Sequence, residues 1–75
     1  MLEFDYSILK GKIVEVFGSQ KAFAEALNVS ERTLSLKLNN RIYFSQDEML
    51  EAAKLLGVES TGIKALFFTT RIQQY

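Results

Sequence analysis

The stretch that decides the fold is residues 19–41, SQKAFAEALNVSERTLSLKLNNR. It contains two short segments with apolar residues at helical spacing, separated by Asn28 and Val29. So brief a connection forces two helices to cross steeply, at about 90–120°. A close crossing requires a small side chain where the helices touch, and Ala24 has the right position. The stretch therefore predicts two helices packed across each other through a tight turn.

Serine caps set the bounds of both helices. Ser19 precedes a helix predicted over 20–27, and Ser30 precedes one predicted from 31 to about 39. A serine at such a position accepts a hydrogen bond from the free amides of the first turn. The turn falls at Asn28, since asparagine tolerates the left-handed backbone region that a tight connection needs. The residues predicted to face the core are Phe23, Ala26, Leu27, Val29, Leu34 and Leu38.

Further helices are predicted on both sides of this stretch. Upstream, Asp5 is the expected N-cap of a helix that Gly18 ends. Downstream, Ser45 and Glu48 have the spacing of a capping box, in which each residue bonds the backbone amide of the other. The helix that they begin is expected to end at Gly57.

A fifth helix and a tail complete the chain. The fifth helix is predicted to begin near Ser60 or Thr61, and residues 69–75 are expected to form either a coil or a short strand. Apolar residues recur at helical spacing in the first, fourth and fifth helices. Those predicted to face the core are Tyr6, Leu9, Ile13, Val16 and Phe17 in the first, Met49, Ala52, Ala53 and Leu56 in the fourth, and Ile63, Leu66 and Phe67 in the fifth.

The composition limits both size and chemistry. Seventy-five residues make a single domain, and 48% hydrophobic residues suffice for one small core. The absence of Cys and His excludes a disulfide framework, thiolate or imidazole metal sites, and Ser-His or Cys-His catalysis. No apolar run approaches the ~18 residues of a membrane span, and Glu3 and Asp5 stand where an export signal carries basic residues. We therefore expect a cytoplasmic protein without a metal or a cofactor.

The charges balance overall but are unevenly placed. Nine basic and nine acidic residues give a formal net charge of zero, which excludes a globally basic nucleic-acid coat protein. Residues 19–44 carry a net charge of +2, whereas residues 45–59 carry −3. A basic middle segment beside an acidic one is compatible with local nucleic-acid contact.

The helix predicted from residue 31 to about 39 has a distinctive outward face. Leu36 is a large apolar residue on an otherwise polar surface. Arginine reads guanine in the major groove, hydroxyl groups read several base edges, and an apolar side chain can meet a thymine methyl group. The residues predicted to point outward are Arg32, Thr33, Ser35, Leu36 and Asn39.

Residues 20–40 also carry a family resemblance. Gln20 stands at the first position of the pattern, Ala24 at the fifth and Leu34 at the fifteenth. Asn28 occupies the ninth position and Leu-Asn-Asn (38–40) the end, where the pattern has glycine in place of Asn28 and of the final asparagine. With these residues the stretch resembles the helix-turn-helix of the Cro and phage-repressor (Xre) family, and particularly small phage-encoded Cro-like regulators. Both changes from glycine to asparagine keep the required backbone tolerance.

The resemblance covers most of the chain, because the flanking helices fit the five-helix domain of that family. It implies a compact all-α, lambda-repressor-like DNA-binding domain over residues 1–75, with the helix-turn-helix at 19–40 and a C-terminal tail at 69–75. The function that it implies is a sequence-specific, double-stranded-DNA-binding transcriptional regulator. Such a phage or prophage repressor would act in the cytoplasm of the bacterial host, at the nucleoid.

The resemblance also assigns roles to residues. Gln20 would reach a phosphate with its amide at a helix N-terminus, and residues 30–33 would open the recognition helix toward the base edges. Glu31 is awkward beside phosphate, so it either accepts a hydrogen bond from a cytosine amino group, pairs with Arg32 or caps the helix. The implied DNA-contacting residues are Gln20, Lys21, Ser30, Glu31, Arg32, Thr33, Leu36, Lys37, Asn39, Asn40 and Arg41.

The low charge of one subunit bears on oligomeric state. Because a neutral subunit neutralises few phosphates, a homodimer on a palindromic operator is expected, with the subunits about one helical turn, ~34 Å, apart. The apolar residues near the C-terminus either close the core or form the dimer interface. The candidate interface residues are Phe67, Phe68, Ile72 and Tyr75.

Two other classes of function remain open. The first is a helical protein-interaction module, anti-repressor or antitoxin-like, that no longer binds DNA; zero net charge and the outward Leu36 favour it. The second, an enzyme acting on a small-molecule substrate, is disfavoured because the sequence has no acid–base pair, phosphate loop or metal set. The carboxylates of Asp47, Glu48 and Glu51 are better explained as a complement to the positive N-terminus of the fourth helix.

Overall fold

The computed structural model describes residues 3–71, which form five α-helices and one 3₁₀ turn. Within this range no residue belongs to a strand, and one antiparallel bridge pairs Phe4 with Thr70. No helix of the described range is long and apolar enough to cross a membrane. The prediction of an all-α fold with five helices is confirmed. The elements are α1 (Ser7–Phe17), α2 (Gln20–Leu27), α3 (Glu31–Leu38), α4 (Gln46–Leu55), the 3₁₀ turn (Ser60–Gly62) and α5 (Ile63–Phe67).

Serine caps fix the ends of α2 and α3 as predicted. The Ser19 hydroxyl oxygen accepts a hydrogen bond from the Ala22 amide at 3.1 Å, and that of Ser30 accepts one from the Thr33 amide at 3.0 Å. Asn28 ends α2 with a φ of 62°, in the left-handed region. Each cap satisfies an amide that the helix itself leaves unpaired, a contribution of about 1 kcal/mol.

The start of α1 differs from the prediction. The helix begins at Ser7, so Tyr6 rather than Asp5 holds the N-cap position, and Tyr6 makes no side-chain cap bond. Asp5 instead accepts hydrogen bonds from the hydroxyl and the amide of Ser7, because its short side chain reaches the backbone two residues ahead. These two bonds hold the pKa of the Asp5 carboxyl below its usual value. Gly18 ends the helix as predicted, with a φ of 81°.

Two apolar residues expected in the core are exposed. Val16 lies at the surface because Phe17 makes the contact with α2, where its ring meets that of Phe23 at a centroid distance of 5.3 Å. Ala26 is also exposed, since it follows Ala24 by two residues and a helix turns by about 200° over that distance. The buried face of α2 is therefore narrower than predicted.

The core lies between α1, α2, α3 and α4, and α5 closes it. Phe23, Leu9, Ile13 and Leu34 are the largest side chains that are completely buried. Burial of a side chain of this size stabilises the fold by roughly 1.5–3 kcal/mol. Phe67 joins this core with 2% exposure, so its predicted role in a dimer interface is wrong: it packs within the monomer.

The segment before α1 pairs with the residues after α5. The Asp5 amide donates to the Thr69 carbonyl at 2.7 Å, and the Arg71 amide donates to the Glu3 carbonyl at 3.1 Å. The side chains of Glu3 and Arg71 form an ion pair at 3.3 Å. The described part of the predicted tail is therefore extended rather than free coil, and it joins the two ends of the described chain. Ile72 and Tyr75, the other interface candidates, lie outside the described residues.

Candidate interaction surfaces

The outward face of α3 is polar, and no element between residues 3 and 71 covers it. Arg32, Ser35 and Asn39 are exposed and Leu36 is partly exposed, as the helical spacing predicts. Several polar groups of this face are already engaged within the helix. The Asn39 side-chain amide donates to the Ser35 carbonyl at 2.8 Å, and the Ser30 hydroxyl donates to the Thr33 hydroxyl at 2.8 Å. These bonds reduce the number of groups that are free to meet a ligand.

Lys37 does not belong to this face, contrary to the prediction of a DNA-backbone contact. Its side chain is buried, and its ammonium donates to the Tyr43 carbonyl at 3.0 Å and to Glu48 Oε1 at 2.8 Å. The ammonium also lies 5.7 Å from the centroid of the Phe44 ring. The physical reason is helical geometry: Lys37 follows the inward Leu34 by three residues, so it shares that side of the helix.

Glu48 is the acceptor that makes the buried lysine possible. Its Oε1 accepts from both Lys37 and the Ser45 amide, and its own amide donates to the Ser45 hydroxyl, which confirms the predicted capping box. Burial favours a higher pKa for Glu48, but the bonds from Lys37 and Ser45 outweigh it and leave the pKa below its usual value. One carboxylate therefore anchors α3, the loop before α4 and the first turn of α4.

Asn40 is also turned away from the predicted DNA surface. Its backbone has a φ of 63°, and its side chain bonds the N-terminal segment. Asn40 Oδ1 accepts from the Phe4 amide at 2.8 Å, and Asn40 Nδ2 donates to the Phe4 carbonyl at 3.0 Å. With both of its polar atoms occupied, this side chain is not free to contact a phosphate.

The other predicted DNA-contacting residues surround the turn and the ends of the two helices. Gln20 and Thr33 are half-buried at the first turns of α2 and α3. The fully exposed members are Lys21, Ser30, Glu31, Arg32, Asn39 and Arg41. Most of the predicted residues are thus at least partly exposed, whereas the side chains of Lys37 and Asn40 are engaged within the fold.

A second surface, which the sequence analysis did not predict, is an apolar groove that no residue of α3 lines. We call it the aromatic groove; it has two adjoining parts of about 240 and 260 Å³ that share Met49 and Phe68. Its first part lies between the N-terminal segment, the loop before α4 and the end of α5. The lining residues are Phe4, Tyr6, Tyr43, Phe44, Met49, Phe67 and Phe68 in the first part, and Gln46, Met49, Leu50, Ile63 and Phe68 in the second.

Edge-to-face ring contacts organise the aromatic groove. The Phe4 ring meets Tyr43 at a centroid distance of 6.1 Å and Phe68 at 6.2 Å, both nearly perpendicular. Beneath them, the Phe44 ring meets Tyr6 at 5.5 Å and Phe67 at 5.1 Å. Such arrangements place the positive edge of one ring on the negative face of another. The rings therefore form a continuous layer from the core to the surface.

Large apolar side chains remain exposed along the aromatic groove. Tyr43 is 56% exposed, Leu50 59% and Phe68 48%. Two exposed carboxylates, Asp47 and Glu51, lie beside Leu50 on the outer side of α4. A contiguous apolar patch with a polar rim on a small protein marks a surface for a protein partner more often than it marks an accident of packing.

The described part of the chain shows no candidate metal site. Between residues 3 and 71, no three side chains among His, Cys, Asp and Glu are grouped so that they could hold a metal ion. Glu48 is committed to the Ser45 amide and to Lys37. For contact with a partner, the described residues offer the exposed rings and aliphatic side chains of the aromatic groove, with the carboxylates of Asp47 and Glu51 at its rim.

The sequence carried one signal of the aromatic groove that could have been followed. Aromatic residues occur as adjacent pairs at 43–44 and at 67–68. Because adjacent side chains point about 100° apart on a helix and to opposite faces of a strand, an adjacent pair of large rings can place one ring outside a small core. In the structure Phe44 and Phe67 are buried, while Tyr43 and Phe68 are exposed.

Comparison with known proteins gives a family and a relative of known structure. A family model described as a protein of unknown function (DUF739) matches residues 2–70. The fold is similar to the solution structure of the modulator of repression (MOR) of the temperate bacteriophage TP901-1 from Lactococcus lactis. The two share 42% sequence identity with a TM-score of 0.79, covering 95% of this chain and 96% of that one. No curated protein sequence matches this chain.

These findings correct the family and function predicted from residues 20–40. The prediction of a Cro-like member of the phage-repressor family is wrong, because the matching family is a different one and the similar structure is a modulator of repression. The predicted repressor function, the operator DNA partner and the homodimer are overturned with it. The spacing that suggested them reflects the packing of α2 across α3, which needs Ala24 and a left-handed Asn28 whatever the outer face contacts.

Proposed function

This chain belongs to the DUF739 family, and on that premise we propose that it is a regulator that modulates a phage repressor by binding the repressor protein. The observation that carries the proposal is the 42% identity, over 95% of the chain, to a modulator of repression. The proposal corresponds to the protein-interaction alternative that zero net charge already favoured. It requires no catalysis, and it places the protein in the cytoplasm of the bacterial host, where a repressor acts.

The aromatic groove is the surface that we assign to the repressor. Binding energy at protein interfaces is concentrated in a few aromatic and other large side chains that lose water on contact. Tyr43, Leu50 and Phe68 are such side chains, and each has about half of its surface available. The Phe4 ring holds Tyr43 and Phe68 in place before binding, which lowers the conformational entropy lost on association.

The charge distribution supports a protein partner over a nucleic acid. Lys37 is neutralised by Glu48, so it cannot serve a phosphate. The charged residues left exposed on and around α2 and α3 are Lys21, Glu25, Glu31, Arg32 and Arg41. Three cations against two carboxylates make a weak surface for phosphate neutralisation, which supplies most of the affinity of DNA-binding proteins.

The test combines a binding measurement with a repression assay. The purified chain is titrated into the repressor encoded by the same phage genome, and both are then expressed with a reporter under the repressor's operator. We expect a complex in the calorimeter and a change in reporter expression that depends on the repressor. Absence of a complex, together with binding of the operator by the chain alone, would overturn the proposal.

A pair of matched variants locates the contact. Phe68→Asp places a charge in the aromatic groove, whereas Ile8→Asp makes the same change at an equally exposed apolar residue on α1. We expect Phe68→Asp to weaken repressor binding at least tenfold, because a desolvated carboxylate without a partner is costly. Ile8→Asp should leave the affinity unchanged. Equal effects of the two variants would show that the groove is not the contact surface.

A further inference from the structure

We infer that Asn40 is a positioning residue of the aromatic groove: its side-chain amide docks the N-terminal segment and so places the Phe4 ring. The docking of the N-terminal segment by Asn40 is argued from the structure alone. Its consequence for a partner rests on the proposed function, since it concerns the surface assigned there to the repressor. Asn40 is not one of the lining residues of the groove and acts through the Phe4 backbone.

The amide of Asn40 acts on the N-terminal segment as a neighbouring strand would. Its oxygen accepts from the Phe4 amide at 2.8 Å and its nitrogen donates to the Phe4 carbonyl at 3.0 Å, across 36 residues of sequence. The opposite edge of the segment pairs with the backbone at Thr69 and Arg71. The segment is thus held from both sides, and one side is a single side chain.

Docking of this segment builds one wall of the groove. The Phe4 ring lies within 6.2 Å, centroid to centroid, of Tyr6, Tyr43 and Phe68. Tyr43 and Phe68 belong to distant parts of the chain, and the Phe4 ring lies between them. If the Phe4 backbone were released, Tyr43 and Phe68 would each lose a perpendicular ring partner, and the groove would open on that side.

Position 40 requires a residue that tolerates a positive φ and whose side chain can both accept a hydrogen bond from Phe4 and donate one to it, and asparagine does both. A φ of 63° favours glycine, asparagine or aspartate. Glycine has no side chain to bond Phe4. Aspartate could accept from the Phe4 amide, but it has no N–H to donate and would set a negative charge against the Phe4 carbonyl. The glycine that the helix-turn-helix pattern carries at this position would therefore give the same turn without the docked segment.

Asn28 provides an internal control for this inference. It has nearly the same backbone conformation, with a φ of 62°, and ends α2 much as Asn40 follows α3. Its side chain is exposed and makes no hydrogen bond within residues 3–71. Replacing either asparagine by glycine therefore makes the same chemical change in the same backbone region, and Asn40→Gly alone removes the bonds to Phe4.

The experiment measures docking and binding separately in Asn40→Gly, Asn40→Asp and Asn28→Gly. Docking is followed by NMR in the free chain, through hydrogen exchange of the Phe4 amide and cross-peaks between the Phe4 and Tyr43 rings. Binding is followed by calorimetry with the repressor. For Asn40→Gly we expect exchange of the Phe4 amide to accelerate about tenfold or more, with loss of the ring cross-peaks and an affinity about tenfold lower. Asn40→Asp keeps the acceptor of the Phe4 amide and loses only the donor to the Phe4 carbonyl, so each change should be smaller than in Asn40→Gly. Asn28→Gly should match the unmodified chain in every measurement.

The outcomes separate this inference from the proposed function. If the unmodified chain fails to bind the repressor, the proposed function falls, and the NMR data still decide whether Asn40 docks Phe4. Retention of slow Phe4 exchange and of the ring cross-peaks in Asn40→Gly would overturn the docking. Loss of the cross-peaks with an unchanged affinity would overturn the role of Asn40 in the groove.

Discussion

The α2–α3 unit and the aromatic groove are built in opposite ways. The unit is one continuous stretch with its own caps, its own turn and a polar outer face. The groove is assembled from three separate parts of the chain, the N-terminal segment, residues 43–50 and α5 with Phe68, and its outer face is apolar. The difference places the helix packing that stabilises the fold in the contiguous unit, whereas the assembled apolar surface is the one that we propose for recognition of a partner.

The largest expected effect is a loss of stability when the α2–α3 unit is changed. Phe23 is completely buried between the helices, so Phe23→Ala should lower the free energy of unfolding by about 3–5 kcal/mol, through lost burial and the cavity left behind. Phe68→Ala, in the groove, should cost far less because half of that side chain is already in water. Urea denaturation of both variants provides the measurement. Similar losses of unfolding free energy in Phe23→Ala and Phe68→Ala would contradict the separation of a stabilising unit from a recognition surface.

A second change tests the link between the two regions. Lys37→Met keeps the length of the side chain but removes its bonds to Tyr43 and Glu48. It should cost about 1–3 kcal/mol, because the partly buried Glu48 carboxylate loses a charged hydrogen-bond partner. The control is Lys21→Met at an exposed position, expected within about 0.5 kcal/mol of the unmodified chain. Thermal unfolding followed by circular dichroism compares them. If Lys37→Met proved as harmless as its control, the buried ion pair would not be a structural link.

A third change separates recognition from stability. Tyr43→Ala removes an exposed ring of the groove and should weaken repressor binding about tenfold while lowering stability by less than about 1 kcal/mol. Arg32→Ala changes the outer face of α3 and should leave repressor binding intact. Calorimetry on the two variants gives the comparison. If Arg32→Ala weakened repressor binding and Tyr43→Ala did not, the recognition surface would be the outer face of α3 rather than the groove.

The smallest expected effect concerns pH. Because the pKa of Glu48 is lowered in the folded chain, its ionised form adds stability above the ordinary glutamate value of 4.5, and this stability is lost as the pH falls through the lowered pKa. Glu48→Gln should therefore flatten the acid limb of a stability–pH profile measured by urea unfolding between pH 7 and pH 3. Glu51→Gln, an exposed neighbour, serves as the control. Identical acid limbs in the unmodified chain and in Glu48→Gln would contradict the assignment.

Sequence reasoning succeeded where the information was local. Serine caps at 19, 30 and 45 and the turn at Asn28 lie within a few residues of the helices that they define, so the spacing alone locates those helices. The apolar spacing was reliable for fully buried residues such as Leu9 and Leu34 and less so at helix ends such as Val16. The α2–α3 unit was thus predictable almost to the residue.

The rest depended on contacts between distant parts of the chain. The carboxylate that draws Lys37 into the interior belongs to Glu48, and Asn40 binds a backbone 36 residues away. The sequence alone does not distinguish a lysine or an asparagine that contacts DNA from one, like Lys37 or Asn40, that bonds another part of its own chain. The function was misread for that reason: the pattern of residues 20–40 reports how two helices cross, and it carries no information about what the outer surface meets.

The pairing of the N-terminal segment with residues 69–71 has one more consequence, for the connectivity of the chain. Since Glu3 and Arg71 lie side by side, a short linker could join them and the backbone could be cut elsewhere, for example at the exposed turn around Gly57. A circular permutant of this kind would keep every helix and the groove while changing the order of synthesis.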